Sequence, residues 1–240
     1  MIRYNALTIG GVSTASFPFK VIVEDSPSVT VAESKTELLE HQGISGAIVQ
    51  TNRQRSLIEL DYTLYLVKPS EEGLYGFLKL FLKEGFWLEN SSFMTTRWWC
   101  YKVTKSPVTK DKLGVYEMKV TFICHPTKWF KTVDTTVLRT NGVLRTKGSA
   151  LAYPKLTIVG NSATETSFTI DNQVIRLERL QETLVMDNNP NQPSFKTQRG
   201  QFIKWAGDFL SIDAGKNDTV GVVLGPGITS ITCETNWGWA

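Results

Sequence analysis

The seventeen residues from Gly114 to Phe130 restrict this chain more than any other stretch. Tyr116, Met118, Val120, Phe122 and Cys124 fall on one side at a period of two, and Glu117, Lys119 and Thr121 on the other. A sheet strand with one buried face satisfies that alternation. Pro126 has no backbone N–H and pushes His125 towards an extended or turn conformation, so the strand is expected to end near Cys124 and to close an N-terminal domain.

Ser56 to Val67 repeats the pattern, with Ile58, Leu60, Tyr62, Leu64 and Leu66 inward and Glu59, Asp61 and Thr63 outward. Shorter strands are expected around Ile2, Tyr4, Leu7 and Ile9, broken by Gly10 and Gly11, and over Phe17 to Val23. One helix interrupts the strands. Ser70 is placed to cap it, Glu71 and Glu72 suit its positive N-terminal end, and Leu74, Phe77, Leu78, Phe81 and Leu82 form an i, i+3, i+4, i+7, i+8 stripe before Gly85 stops it. A lone amphipathic helix must cover a sheet face, which makes the N-terminal block α+β.

Residues Glu24 to Gln54 are mostly polar, with isolated apolar side chains, and have little to bury within their own subunit. Two readings stay open: a long surface hairpin, or an arm that packs on a neighbouring copy. Ile44, Ile48 and Val49 are the candidate contacts, and folding back on their own subunit is the alternative. Phe86 to Val103 holds the densest aromatic cluster, with Phe86, Trp87, Phe93, Trp98, Trp99 and Tyr101. It suits a stacking platform for sugar or base, or a core or interface strand pair, and the second reading is favoured because aromatics concentrate in both settings. Since Trp98 and Trp99 are consecutive on a strand, at least one is expected to face outward or into an interface.

After Asp134 the pattern weakens through a Thr, Gly and Lys-rich stretch closed by Pro154, and a boundary is placed there: residues 1–134 as one domain and 135–240 as another. Short apolar runs then alternate with turn signals such as Asp171-Asn172, DNNPNQP and the GPG at 225–227. That spacing predicts a β-sandwich with no further helix beyond a turn in Gly200 to Phe209. The fold class is therefore mainly β.

The chemistry available is narrow. Cys100, Cys124 and Cys233 are odd in number and without CxxC spacing, so neither a disulfide framework nor a zinc site is indicated, and a reducing compartment during folding fits. His41 and His125 have no partner at ligand spacing. Cys124 and His125 adjoin in sequence, and adjacent strand residues point to opposite faces, so they do not make a nucleophile and its base. The glycine-rich segments lack the Lys-Ser/Thr step of a phosphate loop. Asp187, Asp208, Asp213 and Asp218 read as turn residues ahead of a calcium site. No pair of carboxylates is singled out for glycoside hydrolysis. No enzyme activity and no cofactor are expected. Residues 1–134 carry 16 basic and 14 acidic side chains and the remainder 10 and 9, so no basic lobe marks the chain for nucleic acid or membrane. Neither a secretory leader nor a membrane span is apparent, and a soluble protein made in cytoplasm is expected.

The order and spacing of several segments resemble the distal tail protein family of long, non-contractile-tailed bacteriophages. They run from IRYN through GISGAIVQTNRQRSLIELDYTLYLV, GLYGFLKLFLKEG, WLENS, RWWCYKV and VYEMKVTFICHPTKWF to ALAYPKLTIVGN, FTIDNQVIRL, LVMDN, GQFIKWAGDFLSIDAGKN and ITCETNWGWA. The resemblance implies a virion structural protein at the tail tip, assembled in the host cytoplasm. It implies a hexameric ring of N-terminal domains whose arms embrace their neighbours around a channel, and a galectin-like C-terminal sandwich outside it. The implied partners are the tail tube protein, the tail-associated hub protein, and receptor-binding or baseplate proteins, with DNA passing through the lumen without specific binding. A galectin-like fold does not carry sugar binding with it. Trp205 and Trp237 remain open as carbohydrate or partner contacts, or as core. The alternative function is a module that binds host wall polysaccharide.

Overall fold

The computed structural model of the 240-residue chain describes residues 5–24, 31–40, 42–43 and 45–240, the side chains of 51–53 excepted. Ile2, Tyr4 and His41 lie outside the described residues. The chain divides into two compact units, Met1–Lys128 and Trp129–Ala240.

The first unit holds β1 (Leu7–Ile9), β2 (Val12–Ser13), β3 (Lys20–Val23), β4 (Ser34–Glu40), β5 (Ala47–Arg55), β6 (Ile58–Val67), α1 (Glu71–Leu78), β7 (Phe86–Asn90), β8 (Thr96–Lys105), β9 (Thr109–Lys110) and β10 (Val115–Phe130). Its main sheet runs β2-β1-β7-β8-β10-β6-β3, with β9 also on β10. The alternating faces settle the register. On β6, Ile58, Leu60, Tyr62, Leu64 and Leu66 are buried, and they lie opposite Cys124, Phe122, Val120, Met118 and Tyr116 of β10. A one-residue slip would turn both rows to solvent, so the pairing is strongly specified.

The strand β10 does not stop near Cys124 as expected; it continues through Pro126 to Phe130. Its ladder with β6 ends where Ile58 meets Cys124. Pro126 therefore lies beyond the end of β6 and has no N–H to give up on that side, which is where a sheet tolerates proline.

Helix α1 begins as its sequence dictates. Ser70 Oγ accepts a hydrogen bond from Gly73 N at 3.1 Å, and Glu71 and Glu72 occupy the first turn. Fully buried Phe77 meets Phe17, Phe19 and Phe81 with ring centroids 5.1, 6.1 and 5.4 Å away, and Phe81 passes the contact to Phe122 of β10. The end of the stripe differs from expectation. Residues Lys79–Leu82 wind as a 3-10 turn, which advances three residues per turn and rotates the pattern. Leu80 and Phe81 go inward, and Leu82 is left exposed.

The second unit is a β-sandwich. Strands β11 (Asp134–Leu138), β12 (Gly142–Arg145), β13 (Leu151–Ala152), β14 (Lys155–Gly160), β15 (Thr166–Ile170) and β16 (Gln173–Leu177) come first. Then follow β17 (Leu184–Asp187), β18 (Ser194–Thr197), β19 (Trp205–Ala206), β20 (Ile212–Asp213), β21 (Thr219–Leu224), β22 (Ile228–Thr235) and β23 (Gly238–Trp239). They form two five-stranded sheets, β11-β22-β14-β17-β18 and β12-β21-β15-β16-β19. Leu156, Ile158, Met186 and Ile231 from one sheet share a core with Phe168, Ile170, Ile175 and Val222 from the other. The β15–β16 hairpin turns on Asp171 and Asn172, both at positive φ (49° and 63°), the two-residue geometry whose twist matches the strands. Gly148, at φ +82°, bridges Gly238, and a Cβ there would collide with the Gly238 carbonyl. The buried Asn188 joins distant loops: its Nδ2 donates to Pro154 O at 2.5 Å, and its Oδ1 accepts from Leu210 N at 2.7 Å. Every element after α1 and its 3-10 turn is a strand, and among the described residues no helix is long and apolar enough to cross a membrane.

Candidate assembly interface

Strands β4 and β5 form a separate two-stranded sheet that, among the described residues, pairs with no other strand. Gly43 and Gly46, both at positive φ, shape the turn between them. In this hairpin Leu38 lies opposite Val49 and Leu39 opposite Ile48. Because successive strand residues point to opposite sides, each pair occupies a different face. All four are exposed: Leu38 by 64%, Val49 by 62%, Ile48 by 50% and Leu39 by 37%. A lone hairpin in water is marginal, and one with apolar residues bare on both faces has the character of an interaction element. Of the three sequence candidates, Ile48 and Val49 lie on this hairpin, and Ile44 is outside the described residues.

A second surface lies on the main sheet, on the side away from the core. Trp98 and Cys100 point into the core, while Trp99 and Tyr101 point out. Trp99 is directly across from Trp87, and their rings meet edge to face at 5.1 Å. The guanidinium of Arg97 stacks on Trp87 with Cζ 3.9 Å from the ring centroid, and its Nε is shielded without a hydrogen-bond partner among the described residues. Reading the aromatic cluster residue by residue overlooked Arg97. Its signal was the same alternation: Arg97, Trp99 and Tyr101 are two apart and must share a face.

Behind this face, Cys100 and Cys124 adjoin in the core on neighbouring strands. The hydrogen bond that the Cys124 thiol donates to Cys100, then burial, push the Cys124 thiol up, so it is held protonated and unreactive. Burial likewise pushes Cys233 up to about 11. His125 lies on the other side of β10, its Nδ1 accepting from Thr127 N at 3.0 Å and its ring 6.3 Å from Tyr101. Burial lowers its pKa. Cys124 and His125 thus face apart. Lys128 sits over Phe93 and Trp98, with Nζ 3.0 and 4.4 Å from the ring centroids. Burial pulls its pKa down to about 8, against which the two ring faces act.

Within the sandwich, Trp237 is 2% exposed and donates its indole N–H to Asp134 Oδ2 at 3.1 Å, while Asp134 Oδ1 pairs with Lys147 at 2.7 Å. The Lys147 contact lowers the Asp134 pKa, aided by the indole. Trp237 presents no open ring face. Trp205 is half-buried between Phe195 and Phe209, at 5.3 and 5.2 Å. Asp187 and Asp213 accept from the backbone two residues on, as turn residues do. Among the described residues no group of three or more His, Cys, Asp or Glu side chains could hold a metal ion.

No protein-family model matches the sequence, and no curated protein matches it significantly. Solved structures do match its fold. The crystal structure of the Dit protein of phage SPP1, described as a paradigm of the hub adsorption apparatus in phages infecting Gram-positive bacteria, aligns with a TM-score of 0.71 at 12% identity, covering 99% of this chain and 100% of that one. The phage P2 baseplate in its activated conformation with Ca aligns with a TM-score of 0.48 at 13% identity, over 99% of this chain and 98% of that one. The fold of this chain is that of the SPP1 Dit protein along its full length.

Proposed function

We propose that this chain is a non-catalytic structural protein of the distal end of a phage tail, six copies of which close into a ring around a channel. Residues 1–134 make the ring, and residues 135–240 form a galectin-like sandwich outside it. The arm over residues 24–54 reaches the neighbouring copy, with Ile44, Ile48 and Val49 among its contacts. The ring joins the tail tube protein to the tail-associated hub protein, with receptor-binding or baseplate proteins at its periphery. The observation that carries this reading is the agreement of fold over the whole chain with a hub protein of a phage adsorption apparatus. The exposed apolar hairpin supports it as the part that needs a partner. The near balance of basic and acidic residues in each half suits a lumen through which DNA slides, since phosphate contacts to Lys and Arg dominate nucleic-acid affinity.

Light scattering across a concentration series tests it. The expected mass is that of a closed hexamer, and deletion of residues 24–54 should leave a folded monomer by circular dichroism. A wild-type chain that stays monomeric at every concentration would overturn the ring, and an intact ring after the deletion would overturn the role of the arm.

A further inference from the structure

The arm leaves open what it lands on. Its more exposed face carries Leu38 and Val49, and Glu40, two residues from Leu38, shares that face. An acceptor for it must offer apolar area and a cation that lacks a counter-ion. The outward face of β7 and β8 offers both: Trp87 and Trp99 supply flat aromatic surface, and Arg97 is a half-buried guanidinium stacked on Trp87, its Nε shielded, with no ion pair to a carboxylate among the described residues. The other carboxylate on that face, Glu89, is engaged in an interaction of its own. Trp and Arg are the residues in which binding energy concentrates at protein interfaces, and an Arg–carboxylate contact fixes orientation as well as affinity.

We infer that the Leu38–Val49–Glu40 face of the arm of one copy docks on the Trp87–Trp99–Arg97 face of the next, with Glu40 paired to Arg97. This rests on the ring reading above and names the acceptor surface for it. Donor and acceptor are different patches of the same chain, so the contact is head to tail, the interface type that generates a closed ring when the rotation between copies allows. Charge complementarity selects a second copy's arm as the occupant: the arm brings a carboxylate beside exposed apolar side chains, and the acceptor brings a cation beside aromatic ones.

The test is a charge exchange in the full chain, read by light scattering. Glu40→Arg and Arg97→Glu should each raise the concentration needed for assembly at least about tenfold, and the double variant should recover most of the loss. Both side chains reach solvent, and circular dichroism should show the fold unchanged. Single variants that assemble like wild type, or a double variant no better than the singles, would overturn the acceptor. If deleting the arm abolishes the ring while Arg97→Glu leaves it intact, the acceptor falls and the ring reading stands. A wild-type chain without a ring instead brings down the reading beneath it.

Discussion

At the scale of single residues, His125 shows how a neutral side chain is built into a sheet. Its Nδ1 accepts a backbone N–H from Thr127, which protonation would remove, and burial disfavours the charged ring as well. Both effects lower its folded pKa, so below about pH 6.5 the unfolded chain takes up a proton that the folded chain resists. Stability from this group is complete above that pH and falls as pH drops towards the folded pKa. Urea midpoints measured from pH 7.5 to 5 should decline more steeply for wild type than for His125→Gln, and parallel curves would refute the assignment. Asp134 works in the opposite chemical sense. It holds a buried indole N–H and a lysine together, and Asp134→Ala strands the Trp237 donor in the core. A loss of about 1–3 kcal/mol is expected, the desolvation cost of a buried unpaired polar group, measurable by urea denaturation of the sandwich.

At the scale of elements, α1 and the strands beneath it were legible from their periods. Ser70 caps, the Glu pair occupies the first turn, and the rows on β6 and β10 are buried as their alternation requires. The misreadings came where a local rule met a neighbour. Pro126 ought to end a strand, and it does not, because β6 has already ended opposite Cys124. Leu82 fits a 3.6-residue stripe, yet lies exposed because the chain tightens to a 3-10 turn. Phe77 is the hinge of the helix packing, with three aromatic partners in Phe17, Phe19 and Phe81, the last of which carries the contact onward to Phe122. Phe77→Ala should cost about 3–5 kcal/mol, as deletion of a fully buried ring does. A shift below 1 kcal/mol in chemical denaturation would show that the helix is dispensable to the sheet.

At the scale of the whole molecule, each unit has its own hydrophobic core. Two unfolding transitions are expected in calorimetry, with Phe77→Ala lowering one and Asp134→Ala the other; a single transition that both variants lower would show the cores unfold together. The assembly surfaces belong to this scale too. The arm is recognisable in sequence by its shortage of buriable residues, and the aromatic cluster by its density, but nothing in either names the other as its counterpart.

The sequence by itself determined which side of each strand is buried, where the helix begins, and where the β15–β16 hairpin turns, because these follow from the backbone's fixed periods of 2 and 3.6 and from the φ preferences of a few residues. Tertiary structure alone decided who meets whom. It set β10 between β8 and β6, brought Cys100 beside Cys124, laid Arg97 on Trp87, and closed Asp134 onto Trp237 across 103 residues of chain. Local periods constrain direction only. Partners are chosen by long-range strand pairing, whose register is fixed by burying both rows of side chains at once.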